Sequence, residues 1–312
     1  MIVEEARHAL AALLADRVEF GAPLARHTSL RVGGPADAMV VPADREELSR
    51  VLALCAAHGL PVSVLGAGFN VLVREGGIRG VVLRLKRLRR IERVADDAIS
   101  VEAGASHATI IRYCIAQGLA GLEFGAGIPG TLGGWLTMNA GIGVREMKDV
   151  VREIEVFDRE GRALPRIARA GLDFRYRSLE GLAPGAVLVA ALLTVEPSSR
   201  TEVQSEIDRL LAKRQATQPT DVPSCGSVFR NPPGDYAGRL IETAGLKGAR
   251  EGQAEISTVH ANFIVNHGGA TAGDILRLIE RARETVARET GIELVPEVRL
   301  LGEESASAGG VL

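Results

Sequence analysis

Gly125-Ala126-Gly127-Ile128-Pro129-Gly130-Thr131-Leu132-Gly133-Gly134-Trp135, continuing to Met138-Asn139-Ala140-Gly141-Ile142-Gly143, places seven glycines within 19 residues. Glycine lets a backbone come closer to a neighbour than any Cβ permits. Successive N–H groups in such a run can face an anion or a flat ring, as in a nest. The competing explanation is a crowded helix-to-turn passage inside the core, and the residues alone leave both open. A second glycine turn, Gly66-Ala67-Gly68-Phe69-Asn70, follows a short apolar strand at Pro61–Leu65. It lacks the third glycine of a dinucleotide-binding fingerprint. Val71-Leu72-Val73 then reads as a strand where that fingerprint needs a helix. No Gly-Lys-Ser/Thr run exists, which excludes a P-loop. Two glycine surfaces in one chain favour a diphosphate-bearing cofactor lying against backbone.

Around these turns the composition is that of an ordinary globular protein. The 312 residues are 46% hydrophobic and 24% charged, and the length suits about two domains. Lys plus Arg total 37 against 39 Asp plus Glu, so the net charge of −2 lacks the footprint of a nucleic-acid binder. Aromatics at 4% offer few rings for base stacking, whereas glycine stands at 36 residues. Three scattered cysteines, Cys55, Cys114 and Cys225, give no disulfide framework. Cys55 and His58 lack further ligands at useful spacing, so no metal is expected. The start, Met1-Ile2-Val3-Glu4-Glu5, reads as an acidic helix rather than a signal peptide. The longest apolar run, Ala186–Val195, is half a membrane span. A cytoplasmic location without membrane contact is the expectation.

Local patterns divide the chain further. Asp44 with Glu47 predicts a capping box for a helix through His58, with Leu48, Val51, Leu52 and Cys55 on its buried face. Strands are expected at Val81–Leu85, Ile91–Val94 and Ile99–Ala103, then a helix His107–Gln117 closed by Gly118. Asp158-Arg159-Glu160-Gly161 marks a hairpin, and Gly185–Val195 a buried strand. Glu196-Pro197-Ser198-Ser199 is the clearest punctuation, which predicts domains at 1–197 and 198–303 with a disordered tail at 304–312. The second part reads as a helix Thr201–Arg214, a Pro/Gly-rich loop Gln218–Gly234 and a helix Asp235–Ala244. Strands near Glu255–Ser257 and Phe263–Asn266, a helix Thr271–Thr290 and a strand Leu294–Leu301 follow.

Single residues carry weaker signals. Ser227, in Ser224-Cys225-Gly226-Ser227-Val228-Phe229-Arg230-Asn231-Pro232, does not fit a nucleophile elbow and by default stabilises a turn. Arg177, in Phe174-Arg175-Tyr176-Arg177-Ser178, can be an ion-pairing surface arginine. Glu297, in Pro296-Glu297-Val298-Arg299, can pair with Arg299 on its own strand face. A thiol enzyme built on Cys225, with His260 approaching in the fold, is a further alternative.

Together these stretches resemble the UDP-N-acetylenolpyruvoylglucosamine reductase family, flavin enzymes of peptidoglycan precursor synthesis. The blocks that carry the resemblance run in one order from Thr28 to Gly302. They are Thr28-Ser29-Leu30-Arg31-Val32-Gly33-Gly34-Pro35-Ala36, Leu65–Val73, Gly127–Gly134 with Met138–Gly141, Gly226–Pro232, Ala237–Glu242 with Ala244–Gly248, His260–Asn266 and Pro296–Arg299. The resemblance implies an α+β chain. A vanillyl-alcohol-oxidase-type FAD-binding fold of two subdomains would be followed by a C-terminal α+β substrate domain. It implies non-covalent FAD held by Arg31, Gly33, Gly34, Gly66, Ala67, Gly68, Phe69, Asn70, Gly127, Ile128, Pro129, Gly130, Gly133, Gly134, Asn139, Ala140 and Gly141. It also implies reduction of an enolpyruvyl ether of a UDP-sugar to a lactyl ether, with NADPH as co-substrate; the sequence does not settle the oligomeric state, and a monomer is the expectation.

The roles implied for the catalytic residues fit the chemistry. Negative charge spreads over the substrate carboxylate as an enolate, which needs a fixed cation and aimed donors. Arg177 would supply the cation and Glu297, protonated and therefore raised in pKa, a donor. Ser227 would give the proton to the α-carbon, a task for which a hydroxyl needs help near pH 7. Tyr176, Gln218, Asn231 and His260 are implied substrate contacts. Phe69 departs from the family's usual serine in its turn, which removes a hydroxyl from the flavin side. The chain is also expected to lack the family's extra substrate-capping segment, as in its shorter class. Two rivals are a flavin oxidase of the same broad fold, although Gly66–Asn70 holds no His or Cys for covalent attachment, and a non-catalytic sensor.

Overall fold

The computed structural model describes residues 2–304 and falls into two compact units. The first gathers Met1–Phe20, Ala38–Ala67 and Gly80–Lys213; the second gathers Gly21–Asp37, Gly68–Arg79 and Arg214–Leu312. Compactness thus divides the chain differently from the expected boundary after Pro197. Two contacts cause this: Val203 and Ile207 pack with Ile111 and Ala126 of the first unit, and Val71–Val73 runs parallel to Arg299–Leu301, with Leu72 opposite Leu300. The expected tail lies outside the described residues apart from Glu304.

The first unit has two buried layers. Helices Glu4–Leu14 and Arg45–Ala57 set Ala6, Leu10 and Leu14, and Leu48, Val51, Leu52 and Cys55, against the strand residues Ala38, Val40, Val81 and Leu83. Those positions recur at helical spacing, so one face of each helix is apolar. Asp44 Oδ1 accepts from the Glu47 N–H at 2.9 Å, but the predicted box closes only halfway. The Glu47 carboxylate instead accepts from Ala43 N–H at 2.5 Å and from Arg17, a charge-assisted partner that displaces the cap's own N–H. Val62–Val64 pairs parallel with Val81–Leu83 and is less buried than its apolar sequence predicts.

The second layer is a five-stranded antiparallel sheet. Its order is Ile167–Ala168, Val151–Phe157, Val187–Thr194, Ala98–Glu102, Ile91–Ala95. Helix His107–Gln117 has the expected bounds: Ser106 caps its start, accepting from Thr109 N–H, and left-handed Gly118 ends it. Trp135, Ile110, Cys114, Ile154 and Leu193 share the core beneath it. Asp173–Arg175 and Ser178–Glu180 form a further hairpin that the sequence reading missed.

In the second unit a four-stranded antiparallel sheet runs Ser224–Ser227, Phe263–Asn266, Ala254–Ile256, Arg250–Glu251. Helix Ala272–Thr290 buries Ile275, Leu278, Ile279, Ala282 and Val286, and Thr271 with Asp274 caps it reciprocally. Two expectations are corrected here. The loop Gln218–Gly234 contains the strand Ser224–Ser227, and the final strand shortens to Arg299–Leu301. Pro296 offers no N–H to a ladder, and Phe229 meets it only through an isolated bridge. Among the described residues no helix is long and apolar enough to cross a membrane.

Candidate active site

In the first unit Gly66, at the start of the shorter glycine turn, meets the longer glycine stretch. A Cβ on Gly66 would lie 2.8 Å from Thr131 Oγ1, so only glycine allows the turn to rest on the longer loop. Arg84, a residue the sequence reading passed over, donates to the Gly66 carbonyl at 3.1 Å, and burial holds its pKa below the ordinary arginine value. Much of the expected nest in the longer loop is already spoken for. The N–H groups of Ile128, Leu132 and Gly133 donate to Gly125, Ala105 and Ala103 carbonyls, and Gly134 N–H to Thr131 Oγ1. The carbonyls of Ile128 and Gly130 accept from Trp135 Nε1 and His107 N–H.

What remains is a smaller donor set. Among the described residues, the amides of Gly130 and Thr131, and those of Gly66, Ala67, Gly68 and Phe69, have no protein acceptor. Gly68 itself packs against the His27 carbonyl, where a Cβ would come within 2.0 Å. Beside it in the second unit, Ser29 donates its N–H to the Gly68 carbonyl at 2.9 Å, while its buried hydroxyl has no partner among the described residues. Within the second unit, the free amides of Gly68 and Phe69 beside the orphaned Ser29 hydroxyl suit an anion such as a diphosphate. Phe69, 37% exposed, projects from this turn.

Arg177 sits in the two-residue turn of the missed hairpin, since Arg175 pairs with Ser178. Its φ is +57°, a left-handed conformation that the second central position of such a turn usually gives to glycine or asparagine. Its guanidinium lies 3.7 Å from Glu146 Oε1, 3.4 Å from the Gly141 carbonyl and 4.9 Å from the Tyr176 ring centroid. Asn139 is wholly buried at φ +40° and its amide is engaged by protein. Its Nδ2 donates to Glu146 Oε2 and the Arg175 carbonyl, and its Oδ1 accepts from Lys148 N–H. Gly127 faces Ile142, and Gly141 pairs with Glu146 across a short hairpin. Pro129 and Ala140 complete this loop.

Ser227 and Glu297 come together in the second unit. Ser224 faces Val265 and Ser227 faces Phe263, so the Ser227 strand holds one extra residue, a bulge built on Gly226 at φ +91°. Bulges re-aim the next side chain and recur beside active sites. No protein partner holds the Ser227 hydroxyl among the described residues. Glu297 N–H donates to the Val228 carbonyl at 2.7 Å, one residue from Ser227. Asn70 ties both strands: its N–H donates to the Cys225 carbonyl at 3.1 Å and its Nδ2 to the Glu297 carbonyl at 3.2 Å. Asn262, missed in the sequence, grips Phe229 at both backbone groups, at 2.9 and 2.8 Å.

The remaining candidates in this unit are mixed. His260 is half-buried against Gly238, and its Nδ1 accepts from Asn262 N–H at 3.2 Å. Burial, with Lys247's charge, lowers its pKa and keeps the ring neutral. Asn231 Oδ1 accepts from Ala237 N–H, and half-buried Gln218 ends helix Arg200–Thr217. Arg31 at φ +57° lines a cavity of about 300 Å³ with His267, Gly268 and Gly269; Gly33 and Gly34 pack on Val73 and Glu75. Two arginines that the sequence reading left out, Arg214 and Arg230, keep a buried Nε with no partner. Cys225 is buried and its thiol is pushed up to about 12, chiefly by burial, so the thiol-enzyme alternative has no thiolate to use.

Comparison with known proteins gives these positions a context. An FAD binding domain family matches residues 36–165, and the C-terminal domain of UDP-N-acetylenolpyruvoylglucosamine reductase matches 218–301. A UDP-N-acetylenolpyruvoylglucosamine reductase from Alkalilimnicola ehrlichii is 50% identical over 90% of this chain and 93% of its own. One from Symbiobacterium thermophilum is 46% identical, covering 92% of each chain. The crystal structure of the Thermus caldophilus reductase superposes with a TM-score of 0.78 at 34% identity, over 91% of this chain and 98% of that one. The chain belongs to the UDP-N-acetylenolpyruvoylglucosamine reductase family.

Proposed function

We infer that this chain reduces UDP-N-acetylenolpyruvoylglucosamine to UDP-N-acetylmuramate in peptidoglycan precursor synthesis, with FAD as cofactor and NADPH as electron donor. The observation that carries the reading is the convergence of Ser227 and Glu297 on adjacent bonded segments tied by Asn70, the last residue of the glycine turn. Bound FAD would supply the two-electron chemistry that links NADPH to the enolpyruvyl group. The free amides of Gly68 and Phe69, with Ser29, would hold its diphosphate.

The chain's own groups handle charge and protons. Arg177 presents a fixed cation to the substrate carboxylate as negative charge develops. Glu297, in its protonated form, donates to the same charge. Ser227, whose hydroxyl has no protein partner among the described residues, is placed to give a proton to the α-carbon. Arg214 and Arg230, each with an unpartnered Nε, suit the nucleotide's own diphosphate. We further propose that residues 1–197 serve FAD and 198–303 the substrate, as the family resemblance implies, and that the chain works as a cytoplasmic monomer.

Replacing Ser227 by alanine tests the proton-donor role. NADPH should still reduce the bound flavin, while reoxidation by the enolpyruvyl nucleotide sugar should slow by at least ~100-fold. Unchanged reoxidation would remove Ser227 from the mechanism.

A further inference from the structure

We propose that Glu146 is the positioning residue for Arg177. This inference rests on the reading of Arg177 as the cation at the substrate carboxylate. Arg177 stands at the tip of a two-residue turn in a left-handed conformation, and arginine is a long side chain with many rotamers. A cation that must meet developing charge needs its guanidinium fixed before the reaction, because a misplacement of about 1 Å can cost 100-fold in rate. The neighbouring hairpin supplies that fixation. Gly141 and Glu146 are opposite one another in it, so the carbonyl of one and the carboxylate of the other reach the same guanidinium.

Glu146 is itself held from several sides. Its Oε2 accepts from Asn139 Nδ2 at 2.9 Å and meets Lys148 Nζ at 2.7 Å, while Oε1 faces Arg177. Its N–H donates to Asp149 Oδ2 at 2.8 Å. Asn139 joins the two hairpins, since the same amide nitrogen also donates to the Arg175 carbonyl, two residues before Arg177. The Glu146 side chain is only 15% exposed and that of Arg177 21%, so the pair is largely withdrawn from water. The carboxylate thus has Oε2 anchored by Asn139 and Lys148 while Oε1 faces the cation. Two residues in left-handed backbone, Asn139 and Arg177, flank this arrangement, and strain of that kind persists where the surroundings over-determine it.

The test is a double-mutant cycle in the FAD-loaded protein, with Glu146→Gln, Arg177→Ala and the pair. Glu146→Gln should slow flavin reoxidation by the enolpyruvyl nucleotide sugar by roughly 10- to 100-fold. It should leave flavin reduction by NADPH within about twofold, a split that general loosening of the fold would not give. In the Arg177→Ala background the same substitution should cost nothing further. Calorimetry should show the same non-additivity in substrate affinity. Glu146→Asp, which keeps the charge, should recover part of the rate and serves if the glutamine variant does not fold. Equal losses from Glu146→Gln in both backgrounds, or equal slowing of both half-reactions, would overturn the positioning role. If Arg177→Ala alone leaves reoxidation intact, it is the reading of Arg177 that fails.

Discussion

Arg177 offers a way to separate what the backbone prefers from what the chemistry requires. At φ +57° its Cβ crowds the backbone, and a left-handed residue with a Cβ costs about 1–2 kcal/mol relative to its favoured conformation. Glycine avoids that cost but brings greater freedom to the unfolded chain, which takes back about 0.4–1 kcal/mol. Arg177→Ala and Arg177→Gly lose the same contacts to Glu146, Gly141 and Tyr176, so those contributions cancel between them. The glycine variant should be more stable than the alanine variant by about 0.5–1 kcal/mol, or roughly 1–4 °C in Tm for a unit of this size. Both should lose flavin reoxidation equally. Thermal melts of the two variants, with and without FAD, measure the difference. An alanine variant as stable as the glycine one would show that the turn stores no strain.

Three further outcomes follow from the packing and the charges. Gly125→Ala should destabilise by about 1–3 kcal/mol in urea titrations, because its Cβ would lie 2.3 Å from Trp135 Cη2 and the ring is fixed by its bond to the Ile128 carbonyl. A loss below about 0.5 kcal/mol would mean that the ring yields. Cys55, Cys114 and Cys225 are all buried with thiols pushed up to about 12, so a thiol reagent at pH 8 should label none in the native protein and all three in denaturant; native labelling of any would contradict their burial. Asp235 is held at about 2 by Arg239 and then by the Tyr236 N–H. Its stabilisation is full above the ordinary aspartate range and fades as pH falls toward 2. The gap in urea midpoint between wild type and Asp235→Asn should therefore narrow below about pH 4, and a gap constant down to pH 2.5 would refute the pair.

What the sequence revealed and what it hid have physical causes. Helix His107–Gln117 was legible to the residue because Ser106 and Gly118 are local signals at its two ends. Strand Ser224–Ser227 was not, since its ladder partner lies some forty residues on and a bulge at Gly226 breaks its alternation. The Asp173–Glu180 hairpin was hidden because arginine occupies the turn position where glycine would have announced it. The glycine runs pointed to close backbone approach, which is correct, but several of those glycines admit Trp135 and Ile142 and the free donors cluster at Gly66–Phe69. Ser227 and Glu297 entered through the family blocks, and Arg177 through the family's Tyr-Arg pair at Tyr176-Arg177. Glu146 had no such signal, because its partners Asn139 and Arg177 belong to separate turns.

The account stands or falls on a flavin that cycles between two substrates. The most direct test follows the absorbance of the purified protein anaerobically while NADPH, then the enolpyruvyl nucleotide sugar, is added. The expected result is a yellow protein with a band near ~450 nm that bleaches with NADPH and returns with the nucleotide sugar. A protein that takes up no FAD, or one whose reduced flavin is reoxidised only by oxygen, would contradict it.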